Sequence, residues 1–153
     1  MSATHSVSPA DDRRGKRVMW TYIISGLGIF ALMVLVGILL RASQAGWFAL
    51  DAGLFYSLLG LHGVGMLTAM TISGLGTLWY LVNRETPLAE GVAYLAFGLF
   101  VSGVAAVIVS VVVGHYGALW TMLYPLPFIG TYWPSWATGV WLIGTLLVMV
   151  GWT

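Results

Sequence analysis

Residues 54–82 read LFYSLLGLHGVGMLTAMTISGLGTLWYLV and contain no Asp, Glu, Lys or Arg. A helix needs about 20 apolar residues to cross the hydrocarbon core of a bilayer, so this stretch is long enough to span it. The whole chain has the same character, because 59% of its residues are hydrophobic, only 7% are charged and the mean hydropathy is +0.94. In soluble domains, about a quarter of the residues are charged. The sequence therefore predicts an integral membrane protein.

Three further apolar segments complete a four-helix pattern. They lie at 18–40, at about 88–113 and at 136–153, and each is long enough, or nearly so, to cross a bilayer. We therefore predict an all-α membrane bundle with helices at about 18–40, 54–82, 88–113 and 136–153. The first segment has 23 residues. The apolar core of a cleaved signal peptide has only about 7–15 residues, so we predict a retained helix.

The two ends of the chain differ in character. Residues 1–17 contain six charged side chains together with Ser and Pro, a composition typical of a disordered tail. We predict two domains, a tail at 1–17 and a transmembrane bundle at 18–153. The last apolar segment has only 18 residues and no Lys or Arg at its far end. We expect the chain to be cut inside or just at the end of this helix; a naturally short C-terminus is the alternative.

Basic residues are distributed unequally between the two sides of the predicted bundle. If the N-terminus is cytoplasmic, Arg41 lies outside and the other Lys and Arg residues lie inside, namely Arg13, Arg14, Lys16, Arg17 and Arg84. This is the distribution that the positive-inside rule describes. We therefore predict a multi-pass protein of the cell inner (plasma) membrane with a cytoplasmic N-terminus. The loop at 114–135 would then cap the outer surface.

Composition also limits the possible chemistry. The chain has no Cys, which excludes disulfides, thiolate-held iron–sulfur clusters and Cys-ligated copper within it. A net charge of +1 does not indicate nucleic acid or an acidic substrate as a partner. The partner that composition does predict is the lipid bilayer.

His62 is an ionisable residue within the uncharged segment. Such a residue is a candidate functional group, because its burial in lipid costs several kcal/mol unless a partner compensates. Imidazole is the commonest metal ligand in proteins, and apolar surroundings favour its neutral, ligating form. His62 is therefore a candidate ligand of a haem iron. The alternative is a His that only hydrogen-bonds to a neighbouring helix.

Small residues share the face of the predicted helix that carries His62. At 100° per residue, this stripe consists of Gly65, Ala69, Ser73 and Thr77. Such a stripe usually lets another helix approach closely. It would equally leave room for a flat macrocycle, and the sequence leaves both interpretations open.

Two longer motifs carry a family resemblance. Residues 39–66, LLRASQAGWFALDAGLFYSLLGLHGVGM, resemble the region of helices I and II in subunit I of the haem-copper terminal oxidases, the cytochrome c oxidase family. The matching residues are the helix I Arg, a QPG-like loop and an HGxxM-like motif, here Arg41, Gln44-Ala45-Gly46 and His62-Gly63-Val64-Gly65-Met66. Residues 119–128, LWTMLYPLPF, resemble the family's GWTxYPPL outer loop through Trp120, Thr121, Tyr124, Pro125 and Pro127.

The resemblance implies a role for each matched residue. His62 would be one axial ligand of the low-spin haem, of a or b type, with Gly65 and Met66 in the motif around it. Arg41 would contact the edge of that haem. Trp120 would reach the propionate region, and Tyr124 would shape the same outer cap. Without the resemblance, Arg41 would be an interfacial cation and Trp120 an aromatic membrane anchor.

The resemblance also implies a larger enzyme. The family's subunit has roughly twelve helices, so the chain would be the N-terminal part of the catalytic subunit of a respiratory terminal oxidase. The full-length subunit would also hold a high-spin haem and copper, whose ligands come from later helices. It would join other oxidase subunits, accept electrons from a cytochrome c or similar donor, and couple oxygen reduction to proton translocation. The segment alone is not expected to be active. Its short loop NRETPLAEG resembles the divergent branch that lacks the Asp-type proton channel.

Two other functions remain open at the level of sequence. A small four-helix b-type cytochrome could bind haem between His62 and His115, although His115 would lie much nearer the outer surface. A cofactor-free membrane assembly or anchor subunit is the other possibility. Such a subunit would not explain why His62 lies inside a membrane helix.

Overall fold

The computed structural model describes residues 8–86, 88–117 and 133–152, which form four helices. These are α1 (Pro9–Gln44), α2 (Ala52–Glu85), α3 (Glu90–Val112) and α4 (Ser135–Trp152). All four are long and apolar enough to cross a membrane. The predicted all-α architecture is confirmed, and the protein is a multi-pass membrane protein.

Helix α1 begins at Pro9 rather than at the predicted Val18. Ser8 caps the helix, because its hydroxyl accepts a hydrogen bond from the backbone N–H of Asp11. Proline at the first helical position and acidic residues in the first turn also favour a helix start here. The predicted disordered tail therefore does not extend through residues 9–17, which are helical.

Contacts with α2 hold this early part of α1 in place. The Tyr80 hydroxyl donates to Oδ1 of Asp12 at 2.8 Å, and Asp12 also pairs with Lys16 at 2.8 Å. Gly15 is buried against the side chains of Tyr80 and Asn83. Composition alone does not reveal these contacts, and they stabilise a polar segment that would otherwise lack a packed partner.

The small-residue stripe of α2 packs against α1. A Cβ added at Gly26 of α1 would lie 2.8 Å from the carbonyl oxygen of Ala69 and would also overlap the hydroxyl of Ser73. A Cβ added at Gly76 of α2 would likewise overlap the side chain of Tyr22 of α1. Ala69 and Ser73 of the stripe therefore serve helix packing, as small-xxx-small patterns usually do in membranes, whereas Thr77 at the end of the stripe is exposed.

Helices α3 and α4 form a second close pair. Gly103 of α3 and Gly144 of α4 face each other, so that a Cβ added at Gly103 would lie 2.5 Å from the Gly144 carbonyl oxygen. The two pairs contact each other less extensively than the helices within each pair do. One polar link between them is the Tyr22 hydroxyl, which donates to the Ala93 carbonyl at 2.7 Å.

Gly103→Ala should separate α3 from α4. The new Cβ would overlap backbone atoms of α4, which cannot move without displacing the helix. Overpacking of this kind typically costs about 1–3 kcal/mol. Thermal unfolding in detergent should show the loss. Gly98→Ala, on the same helix with no atom within 4 Å of its new Cβ, is the matched control and should be neutral or slightly stabilising. Equal effects of both substitutions would contradict this packing.

Candidate functional site

An open groove of about 650 Å³ lies between the second half of α1 and the first half of α2. Its walls are largely apolar, and His62 and Arg41 both line it. Ligand sites typically measure about 300–1,000 Å³, so the groove has the size of a site for a cofactor. The structure thus brings together two of the residues that the sequence singled out.

The imidazole of His62 is anchored to the backbone of α1. Its Nδ1 lies 2.8 Å from the carbonyl oxygen of Met33. A carbonyl oxygen can only accept a hydrogen bond, so Nδ1 must carry the proton and donate it. In the neutral ring, Nε2 then keeps its lone pair and can act as a metal ligand. His residues that bind metals commonly have this arrangement, with the second ring nitrogen donating to a carbonyl or a carboxylate.

Gly37 makes this position of His62 possible. A Cβ at residue 37 would lie 2.9 Å from Cε1 and 3.4 Å from both ring nitrogens of His62. Any side chain here would therefore push the imidazole away from the Met33 carbonyl. Gly37 is not among the site residues predicted from the sequence. A glycine within an otherwise bulky apolar stretch, VGILLR, was the available signal, because such glycines often mark a close approach of another group.

Arg41 lies one helical turn beyond Gly37 on the wall of the groove. Its Nη1 donates to Oε1 of Gln44 at 2.8 Å, which directs the guanidinium along the last turn of α1. Trp47 follows in the connecting loop, lines the same groove and has 82% of its surface exposed. This end of the groove therefore combines a cation with a large aromatic ring.

Gly65 and Met66 do not line the groove with His62. Gly65 is buried beneath the Met33 side chain, and it also borders an apolar cavity of about 100 Å³ between the two helix pairs. Met66 is partly buried and packs against the core cluster that contains Met33 and Leu61. Among the other predicted site residues, Trp120 and Tyr124 lie outside the described part of the chain, as do Pro125 and Pro127.

His115 is separated from His62 by the body of α2. It is exposed, follows the end of α3 and has a positive φ of 53°. Its carbonyl oxygen accepts a hydrogen bond from the Ser57 hydroxyl at 3.0 Å. Ser57 precedes His62 by five residues, which places the two side chains about 140° apart around α2. The geometry therefore does not favour a haem shared by His62 and His115.

The described residues contain no group of three or more His, Asp or Glu side chains that could hold a metal ion. What this part of the chain can offer is a single anchored imidazole in an apolar groove, with a guanidinium on the same wall. Such a set suits a planar cofactor that brings most of its own metal ligands.

Comparison with protein families identifies a relationship. The model of the family described as Cytochrome C and Quinol oxidase polypeptide I matches residues 17–153, which is nearly the whole chain. No curated protein and no solved structure matches the chain.

Proposed function

The chain belongs to the family of subunit I of the haem-copper cytochrome c and quinol oxidases, and from this premise we propose that it binds the low-spin haem of such an oxidase. In its full-length form, a subunit of this family is part of an oxidoreductase. His62 would be one axial ligand of the haem, which would be of a or b type. The second axial ligand, the high-spin haem and the copper would be held by later helices of the subunit.

The observation that carries this proposal is the hydrogen bond from Nδ1 of His62 to the Met33 carbonyl. It fixes the tautomer and the orientation of the ring before any metal binds, and it leaves Nε2 as the nitrogen that can act as a ligand. The same hydrogen bond joins α2 to α1, so the support for a haem ligand comes from this bond together with the groove that His62 lines. Here the bonded nitrogen faces the backbone, and the ring as a whole lines a groove of suitable size.

The lining of the groove supports a flat and largely apolar ligand. Val34, Ile38 and Leu59 offer apolar contact to a flat macrocycle, and Arg41 offers a cation at its edge. When bound, a haem supplies one-electron transfer. The residues of this chain would orient it through His62, exclude water with the apolar wall and set the local charge through Arg41. Trp120 and Tyr124 are proposed to cover the outer edge.

The proposed electron path begins outside the membrane and leads to the oxygen-reducing centre in the rest of the subunit. The complete oxidase, purified from membranes, should show a low-spin haem in its reduced-minus-oxidised spectrum and consume oxygen with a cytochrome c or a similar donor. A preparation that contains the full subunit but no haem would refute the proposal and favour a cofactor-free assembly role.

We also propose that the N-terminus is cytoplasmic and that the protein lies in the cell inner (plasma) membrane. The distribution of Lys and Arg supports this orientation. Protease added to sealed vesicles should reach residues 1–17 only from the inner face and residues 114–135 only from the outer face. The reverse pattern would put the outer end of the His62 groove on the wrong side for an external electron donor.

Arg41→Met should make the low-spin haem harder to reduce. A fixed positive charge near the macrocycle stabilises the electron-rich reduced state, so its removal lowers the midpoint potential. A unit charge about 4 Å away is worth roughly 4 kcal/mol at an effective dielectric near 20, before relaxation and screening. We therefore expect the midpoint potential to fall by an amount on the order of tens of millivolts or more. Arg41→Lys should restore only part of it, because an ammonium lacks the planar fork of a guanidinium. A redox titration with an unchanged midpoint and normal haem content would make Arg41 only an interfacial anchor.

A further inference from the structure

The first two turns of α1 have two chemically different sides. Gly15 packs against Tyr80 and Asn83 and so marks the side that faces α2. At 100° per residue, Arg13 and Arg17 lie about 160° from Gly15 on either side, which places both on the face turned away from α2. One helical turn separates them. The two guanidinium groups can therefore act on the same small ligand.

The acidic residues of the same segment lie on the other side. Asp12 is about 60° from Gly15, and it is engaged by Lys16 and by the Tyr80 hydroxyl. In the described part of the chain, Lys16–Asp12 is the ion pair that forms, so no described carboxylate neutralises Arg13 or Arg17. Both arginines are exposed. Within the described residues, their face therefore presents two cations without a paired carboxylate.

An exposed apolar surface continues directly from these arginines along the same face. Trp20 is 53% exposed and Ile24 is 63% exposed, and by helical geometry both lie within about 40° of the direction opposite Gly15. Trp side chains favour the interface between headgroups and hydrocarbon, whereas exposed Ile favours acyl chains. This order along the helix, with arginines first, then Trp and then Ile, would put Arg13 and Arg17 beside the lipid headgroups.

We propose that Arg13 and Arg17 bind the phosphate of an anionic phospholipid whose acyl chain lies along Trp20 and Ile24. Guanidinium groups bind phosphate oxygens through paired hydrogen bonds, and two of them at a spacing of four residues can hold one phosphodiester. The hydrogen bond from Tyr80 to Asp12 ties this segment of α1 to α2, so the backbone positions of the two arginines are held before the lipid binds. This site is independent of the haem proposal.

The test is lipid binding to the intact oxidase, measured by native mass spectrometry with phosphatidylglycerol and with phosphatidylcholine. The Arg13→Gln/Arg17→Gln variant should bind phosphatidylglycerol at least about 25-fold more weakly, because loss of each hydrogen-bonded guanidinium should cost at least a factor of about 5. Binding of phosphatidylcholine should not change. Arg84→Gln, which removes an exposed arginine at the end of α2, is the control and should retain the affinity for phosphatidylglycerol.

Three results would overturn the site. Equal weakening by Arg84→Gln would mean diffuse electrostatic attraction without a specific site. An unchanged affinity in the double variant would mean that the arginines serve only membrane topology. If inorganic phosphate protected the wild-type protein from thermal unfolding as well as phosphatidylglycerol does, the ligand would be free phosphate.

Should the double variant fail to fold, the Arg13→Lys/Arg17→Lys variant tests the site instead. It keeps the charge and should bind phosphatidylglycerol several-fold more weakly. Full affinity in this variant would contradict paired guanidinium binding.

Discussion

His62→Ala should abolish the low-spin haem band in the reduced-minus-oxidised spectrum of the complete oxidase. In the proposed site His62 would be the side chain that holds the haem iron, and the methyl group of Ala offers no lone pair. The hydrogen bond to the Met33 carbonyl would be lost as well. The variant would therefore have neither a ligand for the iron nor the contact that orients that ligand. The expected effect is a complete loss of the band rather than a shift.

His115→Ala is the matched control for this prediction. His115 is exposed and lies on the opposite side of α2 from the groove, so the band should keep its position and its intensity. Loss of the band in both variants would instead support a cytochrome that binds haem through two His residues. Retention of the band in His62→Ala would show that His62 is not a ligand of the low-spin haem.

The architecture could be predicted because the bilayer imposes simple requirements on sequence. Length and hydropathy identify a spanning helix almost independently of its neighbours, and all four predicted helices are present. The start of α1 was the main difference. Residues 9–17 are polar, and their helix depends on the Ser8 cap and on the contact between Asp12 and Tyr80 of α2. A composition window cannot detect a partner 68 residues away.

The candidate site could be predicted only in part, since the face that a residue presents to a cofactor depends on which helix packs beside it. His62 and Arg41 were identified from sequence, and they do line one groove. Gly65 shares the His62 face by helical geometry, but it lies under Met33 because α1 occupies that side of α2. Helical periodicity gives angles within a helix. It does not indicate where the neighbouring helix lies, which is also why Gly37 was not identified.

Gly37→Val should strongly reduce occupancy of the low-spin haem while leaving the bundle folded. Even a single Cβ at this position would lie 2.9 Å from Cε1 of His62, and Val adds two methyl groups. The contacted atom is at the end of a side chain, so the imidazole can rotate away and the helices need not separate. That rotation breaks the 2.8 Å hydrogen bond to Met33. Loss of an orienting partner of a metal-binding His typically costs about 10–100-fold in metal affinity.

The matched control is Gly28→Val, which lies on the same helix with no atom within 4 Å of its new Cβ. It introduces the same β-branched residue into α1, so any cost of helix propensity is shared by the two variants. Haem content per protein and the position of the low-spin band should change in Gly37→Val and stay normal in Gly28→Val. Gly37→Ala should give a smaller change in the same direction. A normal band with full haem content in Gly37→Val would show that the Met33 carbonyl does not orient His62. The haem ligand would then have to be held by contacts other than those with α1.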